Sequence, residues 1–284
     1  MNPASNGPSA PMIKIYSQLS GPIEDIGQAR RSLLFAEISN LTYFPEPVCR
    51  ELAGRLGLSE SRFFDRGGAQ AYVFETRDDC IVACRGTEPN DWNDIKADVN
   101  AARVAAETVG RVHRGFKEEV DDLWPLLEKV LMNNTKTLWF CGHSLGGAMA
   151  SICAGRCRLS HIRSNPHGLY TYGCPRVGTS RYVHYVELNY TRWVNNNDIV
   201  TRVPPAWTGY RHAGREMYLN AYGKVRKVSG WQRTKDRWRG FWMGVKKGHI
   251  DNFEDHSIDH YIEFINNYVE EQKSAANNNG SCSL

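Results

Sequence analysis

Residues 138–147 read Leu138-Trp139-Phe140-Cys141-Gly142-His143-Ser144-Leu145-Gly146-Gly147, and they give the clearest indication of the fold in the sequence. The apolar residues before Gly142 predict a buried strand, and the small residues after Ser144 predict a buried helix. Glycine on each side of the serine leaves room for a sharp strand-to-helix turn. A hydroxyl at such a turn lies at a helix N-terminus, where free N–H groups stabilise developing negative charge. The stretch predicts that Ser144 is a nucleophile, and a structural turn with an idle serine is the alternative.

Outward from this stretch, helical and extended patterns alternate. Helical spacing of apolar residues covers 30–44, 47–56, 112–132, 144–159 and 258–271. β-rich runs cover 70–75, 79–85, 137–141, 167–174 and 190–195. Strands alternating with helices predict an α/β fold with a mostly parallel sheet covered on both faces. We expect one domain over residues 12–273, between polar, flexible ends at 1–11 and 274–284.

The composition excludes several classes of protein. The chain has 284 residues, 41% apolar and 23% charged, and no run approaches the roughly 18 apolar residues of a membrane-spanning helix. The eight cysteines lack a regular disulfide spacing, so we expect reduced, buried thiols. Residues 1–16 lack a basic segment followed by an apolar run, which together with the cysteines predicts a cytoplasmic location, with export by a route that needs no such segment as the alternative. We expect no metal, cofactor or nucleic-acid partner, and the oligomeric state stays open.

Six motifs, in one order, resemble the class 3 lipases, the family that includes the fungal triacylglycerol lipases. They are Cys84-Arg85-Gly86-Thr87, Val112-His113-Arg114-Gly115-Phe116, Gly142-His143-Ser144-Leu145-Gly146-Gly147, Tyr172-Gly173-Cys174-Pro175-Arg176-Val177-Gly178, the segment from Asn197 to Pro205, and Asp255-His256-Ser257-Ile258. The resemblance implies an α/β-hydrolase fold and hydrolysis of carboxylic esters through a serine triad.

In α/β-hydrolases the triad follows the chain order serine, acid, histidine. Asp198 follows a predicted strand downstream of Ser144. An aspartate in a loop is usually a turn former, so it is the match to the family's acid position that favours Asp198. His256 matches the family's base, just ahead of the last helix. Three other downstream histidines are weaker candidates, with His249 the first alternative and the others His212 and His260.

The oxyanion of an ester intermediate needs two preorganised donors. The backbone N–H of Leu145, directly after the nucleophile, is the first. The resemblance implies that Thr87 supplies the second, although a threonine that caps the next turn is the alternative. The family also places a lid after this position, here about residues 88–105. The apolar residues of this segment form a short stripe at helical spacing, Trp92, Ile95 and Val99. We expect this stripe and His143 to contact the substrate. So little apolar area predicts weak activation by an oil interface, and a fixed helix is an equal alternative.

An insertion at about 223–250 departs from the family. Residues 224–247 carry nine basic side chains and one acidic one, so this segment is +8 while the whole chain is +4. Aromatic residues are interleaved with the charges, and the candidates for contact with an anionic membrane surface are Trp231, Arg233, Arg237, Trp238, Arg239 and Trp242. The alternative is that these aromatics cover the acyl pocket.

The sequence therefore predicts a serine ester hydrolase, most simply a lipase that acts on acylglycerols. Two further enzymatic alternatives are a phospholipase A1, which the basic insertion would favour, and an esterase for short or aromatic acyl groups, which the polar lid would favour. From another class, the alternative is a non-catalytic protein that binds lipid or membrane. The complete set of triad residues argues against this last alternative.

Overall fold

The computed structural model describes residues 13–86, 102–107, 109–160, 162, 164–226 and 254–280, apart from the side chains of Glu254 and residues 278–280. The helices are α1 (Gln28–Leu41), α2 (Glu46–Leu56), α3 (Arg114–Leu131), α4 (Leu145–Leu159), α5 (Ser180–Val186) and α6 (Ile258–Gly280). Short 3-10 turns cover Ile23–Asp25, Val200–Arg202, Ala206–Thr208 and Glu254–His256.

The described residues form two β-sheets. The strands of the larger sheet are, in spatial order, β1 (Glu60–Arg66), β2 (Ala69–Glu75), β3 (Asp79–Cys84), β6 (Thr137–His143), β7 (Pro166–Tyr172), β9 (Tyr190–Asn195), β11 (Arg215–Leu219) and β12 (Val225–Arg226). Neighbouring strands from β3 to β11 pair in parallel, and the other pairs are antiparallel. The smaller, antiparallel sheet contains β4 (Arg103–Ala105), β5 (Arg111–His113), β8 (Gly178–Thr179) and β10 (Tyr210–Arg211).

The larger sheet separates two hydrophobic cores because side chains alternate across a strand. In β6, Leu138 and Phe140 join the core beneath α3 and α4. Trp139 and Cys141 point the other way, into the core beneath α1, α2 and α6. Helices thus cover both faces, and the chain has the predicted α/β-hydrolase fold with a mostly parallel central sheet.

The parallel register brings the ends of successive strands together. Cys84 at the end of β3 lies opposite Gly142, and His143 at the end of β6 lies opposite Tyr172, the last residue of β7. The loops that leave these strands emerge at one edge of the sheet, where ligands of open α/β sheets bind. This edge therefore collects the loops that carry Gly86, Ser144 and Asp198.

Several element boundaries differ from the sequence-based prediction. The helix predicted from residue 112 begins at Arg114, because Val112 instead pairs with Gly178 in the smaller sheet. The last helix continues to Gly280, into the segment expected to be flexible. Strand β4 takes up the last residues of the predicted lid segment, and β12 lies at the start of the predicted insertion.

Candidate active site

The nucleophile lies on a strained turn between β6 and α4. Ser144 has φ 60° and ψ −131°, a backbone conformation that a residue with a side chain rarely adopts. Its N–H donates to the carbonyl of Tyr172 at 2.9 Å, which ties the turn to β7. The side chain is buried, with 0% exposure. The sequence-based expectation of a sharp strand-to-helix turn is confirmed.

Two glycines allow the backbone to pack this tightly. A Cβ on Gly142 would lie 2.4 Å from the carbonyl carbon of Gly146, and a Cβ on Gly146 would lie 2.2 Å from the carbonyl oxygen of Cys84. Both distances are far below ordinary contact, so any larger residue would push α4 away from β3 and β6. The two glycines thus hold the N-terminus of α4 against the ends of these strands.

The serine, the histidine and the aspartate lie in one hydrogen-bonded line. His256 Nε2 is 2.9 Å from Ser144 Oγ, and His256 Nδ1 is 2.9 Å from Asp198 Oδ2. An ionised Asp198 accepts the Nδ1 proton, which leaves Nε2 free to accept the serine proton. The aspartate is completely buried and the histidine is 3% exposed. This arrangement can remove a proton from the serine and return it to a leaving group.

Tyr261 is a further partner of Asp198 that sequence reasoning missed. Its hydroxyl donates to Asp198 Oδ2 at 2.7 Å and accepts the Asn195 N–H at 2.9 Å. Burial, followed by the nearby Asp198, raises the pKa of this phenol well above its ordinary value, so the hydroxyl keeps its proton. The sequence carries no signal for this role, because the approach of Tyr261 to Asp198 depends on how α6 packs beside the sheet.

His143, which we expected to contact the substrate, is buried and is hydrogen-bonded to other groups of the protein. Its ring is only 6% exposed. Nε2 lies 2.7 Å from the carbonyl oxygen of His256, and Nδ1 lies 2.9 Å from the Tyr43 hydroxyl. Nε2 must donate to that carbonyl, so Nδ1 accepts from Tyr43. Burial, and secondly the proximity of His256, lowers the pKa of His143 well below its ordinary value, and the ring is therefore neutral.

Of the two expected oxyanion donors, Leu145 lies within the described residues and Thr87 does not. Leu145 is the first residue of α4, where backbone N–H groups lack partners within the helix. Thr87 lies outside the described residues. Its neighbour Gly86 lies beside the nucleophile, since a Cβ there would be 3.3 Å from the Ser144 Cβ and 2.5 Å from the Tyr43 hydroxyl. The chain therefore passes the serine immediately before the residue expected to supply the second donor.

The alternative histidines have other surroundings. His212 Nε2 lies 2.7 Å from the carbonyl of Thr201, and His260 stacks on Phe264. The predicted lid stripe (Trp92, Ile95, Val99) lies outside the described residues, as do His249 and the proposed membrane contacts Trp231, Arg233, Arg237, Trp238, Arg239 and Trp242. At the start of the insertion, Lys224 pairs with Glu271 of α6.

Within the ranges described above, no helix is long and apolar enough to cross a membrane. The same ranges hold no group of three or more histidine, cysteine or carboxylate side chains arranged to bind a metal ion. The seven described cysteines are free and buried, as expected.

Comparisons with known proteins agree with this geometry. Residues 81–207 match the family model described as lipase (class 3). Over 117 residues the chain is 41% identical to Toxin TseL of Vibrio cholerae, which covers 40% of this chain and 18% of that protein. It is 36% identical over 119 residues to a lipase of Rhizomucor miehei, which covers 38% of this chain and 33% of the relative.

A third relative is the secreted mono- and diacylglycerol lipase 1 of Fusarium solani, 30% identical over 164 residues, with 54% of this chain and 47% of the relative covered. The chain thus spans less than half the length of each of these relatives. Among solved structures, a triacylglycerol lipase whose catalytic centre is described as a serine protease triad superimposes with a TM-score of 0.57 at 25% identity. That match covers 68% of this chain and 80% of the lipase.

The expected cytoplasmic location is contradicted by these relatives. The Fusarium solani protein and one from Malassezia restricta are both named secreted lipases. The cysteines were a poor guide because they are packing residues. Burial raises the pKa of Cys80 and Cys141 to about 12, and a buried, protonated thiol is inert whichever compartment surrounds the protein.

The family model covers the segment that carries the strained serine turn and Asp198, and the fold and the fungal relatives agree with it. Over residues 81–207 this chain is similar to the class 3 lipases.

Proposed function

We propose that the protein is a serine hydrolase that cleaves carboxylic esters of lipids, with acylglycerols as the substrate class. One observation carries the proposal: Ser144 Oγ, the His256 ring and Asp198 Oδ2 form a buried line with both gaps at 2.9 Å. A relative named a mono- and diacylglycerol lipase and a solved triacylglycerol lipase support the substrate class. We also propose that residues 12–273 form one catalytic domain.

In the proposed mechanism, Ser144 Oγ attacks the carbonyl carbon while His256 Nε2 takes the hydroxyl proton. Asp198 stabilises the imidazolium without taking the proton. The N–H groups of Leu145 and Thr87 hold the oxyanion, and each such donor is worth about 3–4 kcal/mol. The tetrahedral intermediate then collapses, the bond to the alcohol oxygen breaks, and the alcohol leaves with the proton from His256.

The second half of the reaction repeats these steps with water. His256 removes a proton from the water as its oxygen attacks the acyl carbon of the ester on Ser144. The new intermediate breaks its bond to Ser144 Oγ, which recovers the proton. The products are the free carboxylic acid and the unmodified serine.

The test replaces the nucleophile and keeps the fold. Ser144→Ala should lower kcat/KM for a nitrophenyl ester by about 10⁴-fold or more. Ser151→Ala is the matched control, because Ser151 is likewise a buried serine and lies within α4, the helix that follows Ser144. Hydrolysis that survives in Ser144→Ala would overturn the mechanism.

Nitrophenyl esters of increasing acyl length, a triglyceride and a phospholipid then separate the substrate classes. The proposal expects acylglycerols to have the highest kcat/KM. A clear preference for the phospholipid, or for the shortest acyl chain, would overturn the choice of acylglycerols. Equal rates below and above the solubility limit of the substrate would exclude activation by a lid at the interface.

We further propose that the basic insertion contacts an anionic lipid surface. The support is its charge: residues 224–247 are +8, so the remainder of the chain is −4. Each Lys or Arg near an anionic surface contributes about 1 kcal/mol. Neutralising Arg233, Arg237 and Arg239 together should therefore weaken binding to phosphatidylserine vesicles. Unchanged vesicle binding would overturn this part of the proposal.

A further inference from the structure

Three consecutive asparagines lead from β9 to Asp198, and each of them bonds to Asp255. Asn195 Nδ2 donates to the Asp255 backbone carbonyl at 3.0 Å. Asn196 Nδ2 and the Asn197 N–H both donate to the carboxylate oxygen Oδ2 of Asp255, at 3.2 and 3.1 Å. Since Asp255 directly precedes His256 in the chain, these bonds join the loop that carries the acid to the turn that carries the base.

The acid loop needs such support because its backbone is strained. Asn196 has φ 26°, outside the conformations that side-chain-bearing residues favour. Such strain persists only where the surroundings hold it. The Asn196 amide is fixed by Asp255, and the next residue bonds to the same carboxylate. The bend at Asn196 turns the chain so that Asp198 faces the His256 ring.

We propose that Asp255 is a positioning residue that fixes the acid loop to the base turn and so keeps Asp198 aligned with His256. The inference rests on the proposed function, since it assigns Asp255 a part in the same triad. Asp255 does not touch the reacting atoms. It acts on the rate through the alignment of the Asp198–His256 pair.

The Asp255 carboxylate lies in an electrostatically unfavourable place, partly buried and near Asp198. The hydrogen bonds that it accepts from the acid loop must therefore offset this cost. Asp255 is half-buried, and burial is the main reason that its pKa lies above the ordinary value. The nearby Asp198 raises this pKa further, while His260 and the bonds from the asparagines lower it. Arg202 donates to Asn197 Oδ1 at 3.0 Å and is electrostatically attracted to both carboxylates. A neutral amide would avoid the repulsion between the two acids and could still accept bonds from the loop, although those bonds would lack charge assistance.

The experiment compares Asp255→Ala, Asp255→Asn and Asp259→Ala in the full chain with a nitrophenyl ester. Asp259 is the matched control, because it lies on the same segment, is exposed, and contacts Asn40 across 3.4 Å. We expect Asp255→Ala to lower kcat by about 10- to 100-fold, since misplacing a reacting group by about 1 Å costs about 10²-fold. The KM should stay within about twofold. Asp255→Asn keeps an acceptor oxygen and should recover most of the rate.

A second measurement reads the alignment directly. The Nδ1 proton of His256, held by Asp198, should give a low-field proton NMR signal in the wild type that weakens or exchanges faster in Asp255→Ala. If Asp255→Ala does not fold, Asn196→Gly is the substitute, because glycine tolerates the backbone angle but removes the amide. It should give an intermediate loss of kcat.

The outcomes separate this inference from the proposed function. A wild type that does not hydrolyse the ester would overturn both. An active wild type with Asp255→Ala equal to Asp259→Ala in kcat and in the NMR signal would overturn only the role of Asp255. A loss confined to KM, or an Asp255→Asn variant as slow as Asp255→Ala despite a native fold, would also overturn the positioning role.

Discussion

A methyl group added at Gly173 should disable the protein by separating Asp198 from His256. Gly173 follows β7 with φ 62°. A Cβ there would lie 2.8 Å from Asp198 Oδ2 and 2.8 Å from both Nδ1 and Cε1 of His256. The added carbon would therefore meet both partners of the hydrogen bond that orients the imidazole.

The size of the effect follows from these distances. Ordinary contact begins at 3.4 Å, so each partner would have to retreat by about 0.6 Å. A displacement of about 1 Å at a catalytic group costs about 10²-fold in rate, and we expect Gly173→Ala to lower kcat by about 10- to 100-fold. A positive φ also costs an L-residue roughly 1–2 kcal/mol of folding free energy.

Gly68→Ala isolates the contact from the backbone strain. Gly68 has φ 93°, and a Cβ there would have no neighbour within 4 Å. Both variants should lose a similar amount of folding free energy from strain in urea unfolding, while Gly173→Ala loses more in total because of the contact. Only Gly173→Ala should lose kcat on a nitrophenyl ester. Equal kcat values for the two variants would refute the reasoning that the triad leaves no room at this position.

Three further predictions concern other buried groups. Tyr261→Phe removes a donor to Asp198 and strands the Asn195 N–H; we expect about a tenfold lower kcat and a loss of about 1–3 kcal/mol in urea unfolding, and unchanged values would contradict the assigned bonds. The seven described cysteines are buried, and burial raises the pKa of the Cys174 thiol to about 11 and that of Cys49 to about 12. A Cys282→Ser variant keeps only these seven cysteines, so it should not react with a disulfide reagent at pH 8 until it is unfolded. Rapid labelling of the native variant would count against this burial. Burial also raises the pKa of Glu37 above its ordinary 4.5, so its contribution to stability is present below pH 4.5 and is lost as the pH rises through the folded value. The stability of the wild type relative to Glu37→Gln should therefore fall as the pH rises above 4.5, and a constant difference would contradict this prediction.

The parts of the site that the sequence predicts are those fixed by the order of the elements. Strand ends at one edge of a parallel sheet must lie close together, which brings the loops of Ser144 and Asp198 near each other. The resemblance to the class 3 lipases was needed to select Asp198 and His256 from the other candidates. Tyr43 and Tyr261 could not be found in this way. Tyr43 lies in the turn just after α1 and Tyr261 lies in α6. Their hydroxyls reach the site only because α1 and α6 pack beside the sheet, and that packing cannot be deduced from the spacing of the residues.

The fold shows the same division. The strongly apolar runs of β3, β6 and β9 were predicted close to their observed bounds. Strand β1 was missed because it is an edge strand that is largely exposed or half-buried, so its sequence lacks a clear apolar run. The smaller sheet was missed because its strands have two or three residues each, too few to show a period of two.

Covalent labelling of the nucleophile tests the central claim most directly. A fluorophosphonate probe reacts with a serine only where a base and an oxyanion site activate it, and mass spectrometry locates the adduct. We predict one phosphonyl group per chain, on Ser144, with loss of esterase activity in proportion to labelling and much slower labelling of His256→Ala. An adduct on another residue, or hydrolysis that persists in the fully labelled protein, would contradict the assignment of Ser144 as the nucleophile.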